Sequence, residues 1–210
     1  MYTMASYKHD FGQTITTDAE GVGIDRAFLA HISIPKAAAA DADAIIDGAE
    51  GPSGEEATAL VVNEFLAQPA WPRNITVTVA ATTAADIAAG TVKVEGLNFA
   101  DEAISENFTV TADTATVSPL AGDLAFKKVT KVTIPVQDGD SVTFDVGWGD
   151  KFGIPYKLYA DELVILKLFN KAVEGTEGTV TADASDLEKN VYDPNGTPDG
   201  TKDIDLYIIV

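Results

Sequence analysis

The chain carries few residues able to do covalent chemistry. Its only imidazoles are His9 and His31, and it has no cysteine. Thiolate metal sites and disulfides are thereby excluded. A Ser-His-Asp arrangement would need one of the two histidines beside a serine, and no Gly-x-Ser-x-Gly nucleophile elbow occurs. His31 lies in the run Ala27-Phe28-Leu29-Ala30-His31-Ile32-Ser33-Ile34, where a lone imidazole is more often a packing residue than a ligand. Neither a phosphate loop nor a dinucleotide fingerprint is present. Carboxylates are abundant, 33 against 14 Lys and Arg, so pairs of them arise by density alone and read as solvated surface. Asn195, Thr197, Asp199 and Gly200 imitate the start of a calcium loop, but the closing bidentate position falls on Leu206, so the ligand count fails. An Asx-rich turn explains the same residues. No catalytic residue, metal or cofactor is expected. Trp71 and Trp148 remain: an indole between Gly147 and Gly149 could stack on a sugar or anchor a subunit, although Trp148 shares parity with Val142, Phe144 and Val146 and so also reads as core.

These residues sit in a chain dominated by period-2 alternation, which sends successive side chains to opposite faces of a strand. Ile75, Val77 and Val79 alternate with Thr76 and Thr78; Val92 and Val94 follow; Phe108, Val110 and Ala112 alternate with Thr109 and Thr111. Residues 96–101 read as the turn between the last two runs. From Val129 to Val132, Ile134 and Val136 the inward set changes parity, the trace of a β-bulge. Asp138-Gly139 predicts a two-residue hairpin turn between the runs on either side. Val142, Phe144, Val146 and Trp148, then Phe152, Ile154, Tyr156 and Leu158, suggest two strands joined at a glycine kink, with Pro135 and Pro155 at strand ends. Residues 161–170, apolar on both faces, are expected to be the most buried segment, with a helix as the alternative. Ile204, Leu206, Ile208 and Val210 form a last strand whose hydrophobic end should be pinned.

The expected fold is mainly β with little helix: an antiparallel sandwich or barrel-like core over about residues 72–158 plus the C-terminal strand. Residues 1–26, polar and aperiodic, read as an N-terminal arm; 27–210 read as one β-rich domain. Its first strand lies at 27–34. An Ala/Gly/acidic loop or short helix is expected at 36–56, and residues 55–66 lean towards extended.

A chain of 210 residues can bury a substantial core without covalent staples. Its net charge of −19 repels phosphate backbones and anionic lipid, so neither a nucleic-acid nor a membrane partner is expected. Lys127, Lys128 and Lys131 read as edge protection on a strand. The first ten residues lack the apolar region of a signal peptide, and absent cysteine fits a reducing cytosolic origin.

The runs Pro72-Arg73-Asn74-Ile75-Thr76-Val77-Thr78, Gly90-Thr91-Val92-Lys93-Val94-Glu95-Gly96, Ile104-Ser105-Glu106-Asn107-Phe108-Thr109-Val110 and Ala125-Phe126-Lys127-Lys128-Val129-Thr130-Lys131-Val132 together resemble β-rich virion structural proteins of tailed bacteriophages and prophages, especially head decoration (cement) and head-fibre proteins. That resemblance implies a non-catalytic, often trimeric homo-oligomer, made in the host cytoplasm and bound to the major capsid protein on the virion exterior. It carries no functional residue with it. The surface offered for oligomer contact is Leu206, Tyr207, Ile208, Ile209 and Val210, with Trp71 as a possible anchor. A tail-tube or baseplate protein and a carbohydrate-binding or adhesin module are the alternatives.

Overall fold

The computed structural model describes residues 14–16, 23–25, 28–113 and 116–210. It is mainly β, and its strand ladders are antiparallel. The strands are β1 (Thr14–Thr16), β2 (Gly23–Asp25), β3 (Leu29–Ile34), β4 (Asp41–Glu50), β5 (Leu60–Val62), β6 (Arg73–Ala81), β7 (Gly90–Leu97), β8 (Ala103–Val110), β9 (Thr116–Phe126), β10 (Lys128–Ile134), β11 (Val142–Gly153), β12 (Val164–Phe169), β13 (Thr179–Thr181), β14 (Val191–Asp193) and β15 (Ile204–Ile209).

Three sheets do the structural work. A four-stranded sheet runs β5-β10-β7-β8, and a six-stranded sheet runs β13-β14-β11-β6-β9 with β4 added beside β11. Their inner faces meet in a first core, where Val92, Val94, Phe108 and Ile134 oppose Ile75, Val77, Phe144 and Val146. A three-stranded sheet, β12-β15-β3, closes a second core, in which Ile32, Ile34, Leu206 and Ile208 meet Phe152, Ile154, Leu158 and Tyr192. Strand β11 serves both: Phe144 and Val146 enter the first core and Phe152 the second. Each such side chain contributes roughly 1.5–3 kcal/mol by leaving water, against about 0–1 for an exposed ion pair. The cores hold the fold.

Alternation placed the inward residues of β6, β7, β8 and β11 correctly. The β7–β8 hairpin, with Asp101 in the left-handed region (φ 61), turns where the residues between 96 and 101 predict. The expected bulge is present as a register shift between Val129 and Lys131. Phe28 and Val210 exchange backbone hydrogen bonds of 2.9 Å, which pins the C-terminal strand.

Several expectations are corrected. Residues 41–50 form neither loop nor helix but the ten-residue β4, because β11 offers a free edge and Ile45 and Ile46 reach the first core. Alanine is the best intrinsic helix former, but propensity is a small term and loses to that pairing and burial. Of residues 55–66, Leu60–Val62 alone are strand, on the edge of β10. The strands flanking Asp138-Gly139 belong to different sheets, so there is no hairpin; the N–H groups of Asp138 and Gly139 both donate to the Asp86 carbonyl, turning a corner between sheets. The supposed pair of strands around Gly147 is one twelve-residue strand up to Gly153. Gly147 is needed for close approach: a Cβ there would overlap the Asp41 carbonyl of β4. Within the N-terminal arm, β1 and β2 pair with each other, and the rest of it lies outside the described residues.

The largest correction concerns residues 161–170. After a short turn at Asp161–Leu163, β12 is an edge strand with Val164 buried and Ile165 and Leu166 54% and 38% exposed. Its second apolar face meets no layer among the described residues.

Candidate functional site

The geometry of the three-stranded sheet follows from parity. In β15, Ile204, Leu206 and Ile208 point into the second core, leaving Asp205, Tyr207 and Ile209 on the other face. In β3, Ile32 and Ile34 point inward and Leu29, His31 and Ser33 outward. Register sets Leu29 opposite Ile209 and His31 opposite Tyr207. On the other side Leu166 lies opposite Tyr207 and Leu168 opposite Asp205. A shift between Val164 and Leu166 leaves Ile165 exposed as well. The outer face is therefore an apolar band of Leu29, Ile209, Tyr207, Leu166 and Ile165, ended by the exposed Phe28 and Val210.

His31 belongs to this band. Its ring stacks on Tyr207 at 4.4 Å with 9° between planes, and its Nε2 lies 2.9 Å from Asp205 Oδ1. The imidazole sits on an open sheet surface, with 47% of its side chain exposed. What this arrangement does is hold the Tyr207 ring flat against the His31 imidazole.

Of the residues offered for contact, Leu206 and Ile208 are core, Tyr207 and Ile209 are half-buried on the outer face, and Val210 is exposed at its end. Trp71 is not brought together with them. It packs against the second core, donates from Nε1 to the Gly153 carbonyl (2.9 Å) and meets Phe99 edge-on at 5.3 Å. Phe28, Leu29, Ile165 and Leu166 went unrecognised by sequence reasoning. For Ile165 and Leu166 the signal was present in Leu163-Val164-Ile165-Leu166, apolar at both parities.

The other candidates have plain structural roles. Asp199 Oδ1 accepts from the Thr201 hydroxyl (2.6 Å) and N–H (2.9 Å), and these bonds, with Lys202, hold its carboxyl down at about 2. With Gly200 at φ 79 this is an Asx-type turn. Among the described residues no group of three or more His, Asp or Glu could hold a metal ion. Glu106, on the inner side of β8, has its pKa pushed up chiefly by burial, opposed by the backbone N–H groups of Asp123 and Leu124; the Asp123 N–H donates to Oε1 at 2.6 Å. No helix among the described residues is long and apolar enough to cross a membrane.

None of the family models, curated proteins or solved structures compared with this chain matches it.

Proposed function

We propose that the chain is a non-catalytic structural protein that self-associates through the outer face of the β3–β15–β12 sheet, and that its assembly decorates the exterior of a tailed-phage head. The observation that carries self-association is the apolar band: Leu29, Ile165 and Leu166 are large aliphatic side chains in one patch, on a sheet whose other face already fills a core. Scattered exposed apolar residues need no explanation, whereas a contiguous patch marks a contact surface. Tyr207, stacked and fixed at its centre, has the character of an interface anchor.

The head-decoration part rests on the strand resemblance and on acidity. A shell exterior presents no packaged nucleic acid, so a net charge of −19 carries no penalty there. The mechanism is mass action. A protein that binds the assembled shell and not free subunits stabilises the shell by about 2.7 kcal/mol when its free concentration is a hundred times Kd.

Sedimentation tests both parts. The protein should sediment as a closed oligomer, and Ile209→Asp with Leu166→Lys should be monomeric with an unchanged far-ultraviolet spectrum. A wild-type monomer at high concentration would sink the sheet-face reading. Undecorated expanded heads should carry the wild type into the pellet; heads that leave it in the supernatant would sink the capsid reading.

A further inference from the structure

The two tryptophans, distant in sequence, line one cavity of about 410 Å³. It forms where β3 ends in Pro35-Lys36, where Pro69 and Trp71 lead into β6, and beside Trp148 in the middle of β11. Such a volume is near the lower end of small-molecule sites, enough for one ring and its substituents. Its walls are flat: two indoles, Pro35 and Pro69.

The charge of the lining sets it apart. In a chain of net charge −19, the charged residues at this cavity are, among the described residues, Lys36 and Arg73, and no carboxylate of theirs lines it. Arg73 is a built-in floor, its side chain 3% exposed. Its Nη1 donates to the carbonyls of Ala38 (2.9 Å) and Ala39 (3.2 Å), its Nη2 to Asp150 (3.1 Å), and its guanidinium lies 4.4 Å over the Phe152 ring. The Nε is left as a buried donor without a partner among the described residues. Leaving such a donor unpaired forfeits a hydrogen bond it could make to water in the unfolded chain, which an arriving acceptor would restore. Burial lowers the Arg73 pKa to about 10, so it stays cationic at neutral pH. At the rim, Lys36 is held by its left-handed backbone (φ 49) and an N–H bond to Asp203, while its ammonium pairs with no carboxylate among the described residues.

We infer that this cavity binds a small ligand that joins a flat C–H surface to a single carboxylate, the flat face lying against Trp71 or Trp148 and the carboxylate meeting Lys36 and the free Nε of Arg73. Charge-assisted hydrogen bonds to a carboxylate are the strong ones, and indole faces suit C–H surfaces. A single charge is specified because the acidic protein repels polyanions. A uronic acid residue of a glycan and a free aromatic or alicyclic acid share this chemistry.

The test exploits composition. Trp71 and Trp148 are the chain's only tryptophans, so intrinsic tryptophan emission reports on this cavity alone. Titration with glucuronate and with cyclohexanecarboxylate should give a saturable change with at least one, and the better of the two identifies the source. Glucose and acetate, each holding half of the chemistry, should give none. Lys36→Met, whose amine supports nothing in the fold, should keep the spectrum and weaken binding at least tenfold; Arg73→Lys, if it folds, should do the same. No saturable change with either carboxylate up to its solubility limit would overturn the inference. So would an equal response to glucose, or an affinity untouched in Lys36→Met.

Discussion

The outer faces of the four-stranded and three-stranded sheets are built on the same plan and finished differently. Both belong to antiparallel sheets whose inner residues fill a core. Outside the first, β7, β8 and β10 present Thr91, Lys93, Glu95, Ser105, Asn107, Thr109 and Lys131. Lys131 and Lys93 both reach Glu95, at 2.5 and 3.1 Å, and hold its carboxyl below the usual range. Outside the second stand Leu29, Ile165, Leu166, Tyr207 and Ile209. Folding needs one apolar face per sheet. The second apolar face of β12-β15-β3 exceeds that need, which is the observation behind the proposed self-association, and the polar face of β7-β8-β10 shows what the same chain makes when a face meets water.

Truncation inside the cores should have the largest effect. Phe144→Ala in the first core should lower unfolding free energy by about 3–5 kcal/mol, and Leu206→Ala in the second by about 2–5. Since β11 threads both cores, each variant should shift one common denaturant transition. Two separate transitions would break the comparison by making the cores independent units.

Next comes acidity. Burial raises the pKa of Glu106, and of Asp193 likewise, so the folded chain holds those protons more tightly than the unfolded one. Their contribution is full below the ordinary carboxylate range and is lost as pH rises through the folded values. The melting temperature should fall between mildly acid and neutral pH, and Glu106→Gln, whose amide oxygen can still accept the Asp123 N–H, should flatten that slope and stabilise at neutral pH. An unchanged slope would show that general repulsion among 33 acidic residues governs it instead.

The two outer faces should give the smallest changes in monomer stability. Ile165→Thr should stay within about 0.5 kcal/mol while weakening self-association in a sedimentation series. Glu95→Gln should leave both the denaturation midpoint and the sedimentation profile where they were. If Glu95→Gln disturbed assembly and Ile165→Thr did not, the contact surface would have to move to the other sheet.

Legibility in the sequence varied by kind of feature. Val92, Val94, Phe108 and Val110 were readable as inward because a strand alternates whatever lies across from it. The bulge after Val129 was readable for the same reason. The run at 163–166 was half legible: two apolar faces were evident, but not whether a layer of this chain or another molecule covers the second. The cavity was not legible at all, since Trp71, Arg73 and Trp148 announce nothing by spacing.

Alternation and composition alone determined that this protein is antiparallel β, which side chains share a face, and that its surface is strongly acidic, because each depends on geometry or counting within a few residues. Tertiary structure decided the rest. It chose β4 as a strand by offering Asp41–Glu50 the edge of β11, sent the strands beside Asp138-Gly139 to different sheets, brought both tryptophans around one buried arginine, and left the outer face of β12-β15-β3 apolar. Pairing joins residues far apart along the chain, and a local pattern shows which way a side chain points without saying what it will find there.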